Sequence, residues 1–270
     1  ITPERYVERL HDIASFKKDD AVLQIGAFSH PPVLADLAGL TLDDVDVRSL
    51  RRCRVGDCGL QLSAAMIHRF QQAVDWRRDD APEQANRLMR TVLLDYVTGY
   101  QRHGAPVSME YADESEPLHL GREFVSLAGS LGAGWRPFAL LRQHLLDYPE
   151  TDVPGTTDRL YWSKERVGRR TVVSVTHLAV MRLDDGSPAE FAIASKQIYG
   201  SHYFDASLGL TVLVPDRRAA SPMTWLVYLN RSRVDVFDGV FGSVTRHIVT
   251  GRARSTVADQ LARLQQRLER

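Results

Sequence analysis

Cysteine is nearly missing from this sequence, with two among 270 residues, so neither a disulfide framework nor a four-cysteine metal site can be built. An imbalance of charge is missing too. The 34 Lys plus Arg stand against 34 Asp plus Glu, a formal charge of zero. A nucleic-acid protein normally carries a basic surplus, so no nucleic-acid partner is expected. No apolar run approaches the ~20 residues a membrane helix needs, so no transmembrane segment is expected. Chemical signatures are equally scarce. HExxH and GxSxG do not occur, which removes the zinc-protease helix and the α/β-hydrolase elbow. The glycine-rich AGSLGAG (128–134) lacks the Lys-Ser/Thr of a phosphate cradle and reads as a turn between helices. No metal, no cofactor and no catalytic residue set are therefore expected, and the balance leans away from an enzyme.

What is present is ordinary for a globular chain: 44% hydrophobic and 25% charged residues, enough for one core in a single domain over 1–270. The two cysteines, Cys53 and Cys58, flank Arg-Val-Gly-Asp, and Gly56-Asp57 is a turn pair that lets the chain double back. One disulfide follows, worth roughly 2 kcal/mol by loop entropy. The alternative is two free thiols, since the spacing suits neither zinc nor a Cys-x-x-Cys redox pair. A bridge implies an oxidising compartment. With Ile1 rather than Met leading the chain, a periplasmic or secreted protein with its signal peptide removed is expected; free thiols would suit the cytoplasm.

The two halves read differently. Residues 1–150 are mostly helical in pattern, with apolar residues at spacings of three and four after Pro3, after a Ser63 N-cap, over Pro82–His103, and near Leu118–Leu131 and Pro137–Tyr148. Ala21–Phe28 reads as a further strand. From 156 to 235 the pattern turns to strands: Arg159–Glu165, Thr171–Leu183, Glu190–Tyr199, His202–Val214 and Thr224–Val234, with Asp184-Asp185-Gly186 as a hairpin turn. Short connections make this an antiparallel meander. A last helix is expected over 237–268, with Gly251 on its inward phase, costing about 1 kcal/mol against Ala unless something approaches closely.

Polar residues sit inside strongly β-forming segments. In SKQIYG (195–200), alternation sends Lys196 and Ile198 to one face, and Ser195, Gln197 and Tyr199 to the other. In YLNRSRVD (228–235), Tyr228, Asn230 and Ser232 share one face, and Leu229, Arg231 and Arg233 the other. Lys196, Arg231 and Asp205 could satisfy one another, hold the polar end of a ligand, or lie on a solvated face. His177, with Val175 and Ala179 on its face, reads first as a hydrogen-bonded core histidine and second as a ligand contact.

The strand-rich half ahead of one long terminal helix, Tyr161–Leu268, resembles the START-like superfamily, the helix-grip lipid-transfer and polyketide-cyclase proteins. The strings YWSKE (161–165), SKQIYGSHYFDASLGL (195–210), YLNRSRVD and CRVGDC (53–58) are similar to a group of bacterial proteins with no assigned activity. The resemblance implies an α+β fold, with a curved antiparallel sheet wrapped on the C-terminal helix around a cavity. It also implies binding or transport of a hydrophobic, lipid-like molecule. Tyr161, His177, Lys196, Tyr199, His202, Tyr203, Asp205, Tyr228, Asn230, Arg231 and Gly251 are the expected ligand contacts. Two other readings compete. One is an enzyme on an apolar substrate, with Tyr199, His202 or Asp205 as acid–base and Lys196 or Arg231 holding an anion. The other is a pocketless interaction module. Arg48, Arg51, Arg52 and Arg54 read first as a solvated rim, and second as a patch that could make transient contact with anionic membrane headgroups.

Overall fold

The computed structural model describes residues 1–183, 186–219 and 223–234, and near the end 262, 263, 265 and 266. The rest of the helix expected over 237–268, Gly251 included, lies outside the described residues, as do Asp184 and Asp185.

The chain is α+β. Its centre is a six-stranded antiparallel sheet made of β1 (Val22–Ala27), β4 (Thr156–Val167), β5 (Arg170–Arg182), β6 (Phe191–Gly200), β7 (Phe204–Pro215) and β8 (Thr224–Val234), hydrogen-bonded in that order. β4 to β8 are a plain meander, as their short connections require, and β1 closes the free edge of β4, pairing Ala27 with Tyr161. The paired residues 110–111 (β2) and 118–119 (β3) make a separate small ladder.

Among the described residues the helices are α1 (Pro3–Leu10), α2 (Ile13–Phe16), α3 (Asp44–Leu50), α4 (Ala64–Ala73), α5 (Ala81–His103), α6 (Leu120–Gly129) and α7 (Ala139–Asp147). The first expected helix is split, because Asp12 turns its carboxylate onto the Ser15 amide (3.2 Å) and starts a new N-terminus. Ser63 caps α4 by accepting from the Met66 amide at 3.2 Å. α3, absent from the sequence reading, is a short helix of about two turns whose Val47 and Leu50 are buried.

Alternation gives the sheet two faces. On one, Leu160, Trp162, Val173, Val175 and Ile198 pack into a continuous apolar core with α3, α4 and α5. Farther along the same face, Ala179, Ala192, Ala194, Leu208 and Leu210 pack beneath α6 and α7. On the other, among the described residues, Tyr161, Leu178, Val180 and Ile193 pack with α1 and α2.

Cys53 and Cys58 are bonded to each other. Gly56, at φ 84°, makes the turn between them, and the loop docks through Gly56 N–H to the Ala112 carbonyl (2.8 Å) and Cys58 N–H to the Asp113 carbonyl (2.9 Å). No helix among the described residues is long and apolar enough to cross a membrane.

Candidate functional site

The helix-covered face carries a polar island. Asp158 on β4 and His177 on β5 sit one strand apart and point the same way as Leu160 and Val175, beneath His144 on α7. Asp158 Oδ1 lies 2.6 Å from His177 Nε2 and 2.8 Å from His144 Nε2. The outer nitrogens are also engaged: Tyr100 Oη on α5 is 2.9 Å from His177 Nδ1, and the Thr151 carbonyl is 2.8 Å from His144 Nδ1. The Tyr148 ring covers His177, centroid to centroid 4.4 Å. His177 is fully buried, whereas the Asp158 side chain is 25% exposed, so the island has one opening to solvent. Lys196 Nζ, on the neighbouring β6, donates to the Leu145 carbonyl at 2.9 Å and lies over the rings of Phe124 (4.4 Å) and Tyr100 (5.5 Å).

Burial and pairing pull these groups in opposite directions. Burial raises Asp158, but hydrogen bonds from both histidines and their charge hold it down at about 2. The bond to Asp158 raises His144, while burial lowers His177 despite the same partner. Burial alone brings the Lys196 ammonium down to about 8. One carboxylate and two imidazoles converging on a common point can share protons or ligate a cation; the three ligand atoms lie within 4.8 Å of one another.

The opposite face holds a groove of about 390 Å³. Its floor is a polar row from the central strands, Ser163, Ser174, Thr176, Ser195 and Gln197, and its far side is Tyr228 and Asn230 on β8. Leu10, Ile13 and Phe16 of α1 and α2, with Leu178 and Ile193, make an apolar end. At that end Lys17 pairs with Glu165 at 2.6 Å. Burial would raise Glu165, but the Lys17 charge and bond hold it below the usual carboxylate value. At the rim Arg263 Nε donates to Asp19 at 3.0 Å.

The expected ligand residues divide between these places. Tyr161, Tyr228 and Asn230 line the groove, while His177 and Lys196 belong to the island behind the sheet. Tyr199 corrects the alternation reading. Val175 pairs with Tyr199 but Thr176 with Gln197, so Ile198 is an extra residue. This bulge turns Tyr199 onto the same face as Ile198, where it is buried against Tyr111. His202 is buried with Asp46 at 3.1 Å, and Asp205 is buried on β7. Tyr203 occupies the turn before β7 at φ 67°. Lys196 and Arg231 have different partners: Lys196 donates to the Leu145 carbonyl, and Arg231 reaches Ser130 at 3.0 Å, beside the Arg233–Glu123 pair on α6. Tyr199 and His202 do not line the groove, so the acid–base set imagined for an apolar substrate is not assembled there.

His144 and Asp158 were not singled out in the sequence. They lie 33 and 19 residues before His177 on separate elements, and no spacing motif announces such a meeting. The one local sign was Asp158 itself, a carboxylate on the phase of Leu160 and Trp162. Comparison of the chain with protein-family models, curated proteins and solved structures gives no match.

Proposed function

We propose that this protein is a non-enzymatic binder of an amphipathic, lipid-like small molecule, held in the groove between α1–α2 and the face of the sheet turned away from α3 to α7. The observation that carries the reading is the groove's division along its length. One end is aliphatic and aromatic, and the floor is a row of uncharged hydroxyl and amide side chains. A volume of about 390 Å³ falls in the range of small-molecule sites, which are mostly apolar with a few placed polar groups. An acyl chain would lie against Leu10, Ile13, Leu178 and Ile193, and its polar end against Ser174, Gln197 and Asn230. Arg263 already holds Asp19 at the rim, so that corner belongs to the chain itself. The START-like, helix-grip resemblance supports the same reading, since it expects an antiparallel sheet that binds apolar ligands. The Cys53–Cys58 bridge supports a periplasmic or secreted setting, where such a carrier would meet lipids.

Native mass spectrometry of protein purified from its own host should show a retained amphiphile, and cis-parinaric acid should bind the emptied protein with one-to-one stoichiometry. Ser174→Trp, which places an indole on the groove floor, should abolish that binding while leaving the circular dichroism unchanged. Empty protein that ignores cis-parinaric acid, or binding indifferent to Ser174→Trp, would overturn the reading.

A further inference from the structure

The polar island behind the sheet is a different place from the groove, and its hydrogen bonds do not close in the ordinary way. His144 faces an oxygen acceptor at each ring nitrogen: the Thr151 carbonyl at Nδ1 and the Asp158 carboxylate at Nε2. A neutral imidazole carries one N–H, so it can serve one of these acceptors and turns a lone pair toward the other. His177 Nε2 converges on the same Asp158 oxygen at 2.6 Å. The junction thus calls for one more positive charge than two neutral rings supply.

The geometry points to a divalent transition-metal site, with His144 Nε2, His177 Nε2 and Asp158 as ligands. Four observations bear on it. First, the three ligand atoms come from α7, β5 and β4 and lie within 4.8 Å of one another. Second, both outer nitrogens already have the partners that metal-bound histidines use. Nδ1–H of His144 donates to the Thr151 carbonyl, and Nδ1–H of His177 can donate to Tyr100 Oη, which leaves each Nε2 lone pair free to ligate. Third, the two-nitrogen, one-oxygen set suits zinc and its first-row neighbours rather than calcium or magnesium, which take oxygen ligands. Fourth, the 25% exposure of the Asp158 side chain gives the ion a path inward and leaves room for a water as a further ligand.

Seating such an ion needs little movement. Metal–ligand distances of 2.0–2.1 Å in a tetrahedron separate ligand atoms by about 3.3 Å. The present nitrogen-to-oxygen distances are 2.6 and 2.8 Å and no two of the three ligand atoms are more than 4.8 Å apart, so side-chain shifts of up to about 1.5 Å reach that spacing. Lys196 does not compete for the carboxylate. Its ammonium is held by the Leu145 carbonyl and the Phe124 ring.

The test uses the full chain, stripped with EDTA and titrated with zinc chloride. One equivalent should bind, raising the melting temperature by roughly 5–10 °C at a hundredfold excess over Kd, with magnesium chloride giving no shift. Nitrogen-15 spectra of the wild type should show two of the nine histidines changing at Nε2 on zinc addition. His177→Gln should weaken binding by about 100-fold, and Tyr100→Phe, which keeps the ring, by about 10-fold. Should the histidine variant fail to fold, the wild-type spectra and Tyr100→Phe still decide. No zinc uptake, or uptake that leaves His144 and His177 unchanged in those spectra, would show that a proton rather than a metal supplies the missing charge.

Discussion

The two faces of the sheet are built from alternate residues of the same five strands, yet they solve opposite problems. On β5, Val173, Val175, His177 and Ala179 point into the helical half, and Val172, Ser174, Thr176 and Leu178 point into the groove. The helix-covered face is closely packed, and its buried basic groups each have a partner: His144 and His177 on Asp158, Lys164 on Asp43 and His202 on Asp46. The groove floor keeps a row of small uncharged hydroxyls, one of which, Ser163, donates to Glu165 at 2.7 Å. Buried charge on the helix-covered face is held by specific partners, and on the groove face charge stands at one end, in the Lys17–Glu165 pair. That is the pattern of a rigid scaffold with one adaptable surface.

The largest test of this contrast compares two aromatic truncations. Trp162 is 2% exposed, its indole N–H donates to the Asp36 carbonyl at 2.8 Å, and its ring lies so close to Gly26 that a Cβ there would sit 2.6 Å from Nε1. Trp162→Ala should therefore cost about 3–5 kcal/mol in urea unfolding. Tyr228→Ala, on the groove face and 38% exposed, should cost about 1 kcal/mol. Equal losses would mean that both faces are packed alike, and the contrast would fall.

Much of this arrangement was legible from residue order alone. Runs of β-branched residues and the short connections between them placed β4 to β8 within a few residues, and Ser63 marked the start of α4. Alternation sorted Tyr228 and Asn230 from Arg231 correctly, because β8 pairs with β7 in unbroken register along that stretch. It failed at Tyr199, because a bulge is decided by what the strand packs against and leaves no local pattern. The island was illegible for a related reason. Tyr100 and His177 are 77 residues apart, and only the stacking of α5 and α7 on the sheet brings them together. His177 looked like a core histidine from its neighbours, and it is one; what the sequence did not show was its company.

The next prediction concerns Lys196, buried in the helix-covered face like Lys164, which unlike it pairs with a carboxylate, Asp43, at 2.5 Å. Lys196 has a folded pKa lowered to about 8, against about 10.4 for a free side chain. Between those values the unfolded chain binds more protons than the folded one, so stability rises with pH. Below about pH 8 the burial cost is present in full, and it is relieved progressively up to about pH 10. The buried tyrosines, raised by burial, act in the opposite sense only above that window. Urea unfolding at pH 7, 8.5 and 9.5 should show a gain of about 1–3 kcal/mol in the wild type. Lys196→Met should flatten it. The same slope in both proteins would place the charge cost elsewhere and remove the argument that this face tolerates ionisable groups only at a penalty.

The smallest expected effect lies on the groove floor, and it is the sharpest discriminator for that reason. Ser174 and Thr176 point into the groove, and among the described residues Ser174 receives a long 3.4 Å contact from Gln197 Nε2. Replacing Ser174 by Ala, or Thr176 by Val, removes a hydroxyl without opening a cavity, so unfolding free energy should move by less than about 0.5 kcal/mol. Binding of cis-parinaric acid should respond instead, because a carboxylate headgroup held by these hydroxyls loses a hydrogen bond worth about 1 kcal/mol, a roughly fivefold weaker Kd. A groove face that exists to be occupied should pay in affinity and not in stability. Large unfolding losses with unchanged affinity would identify the same hydroxyls as structural, and the sheet would then have two packed faces rather than one packed and one receptive.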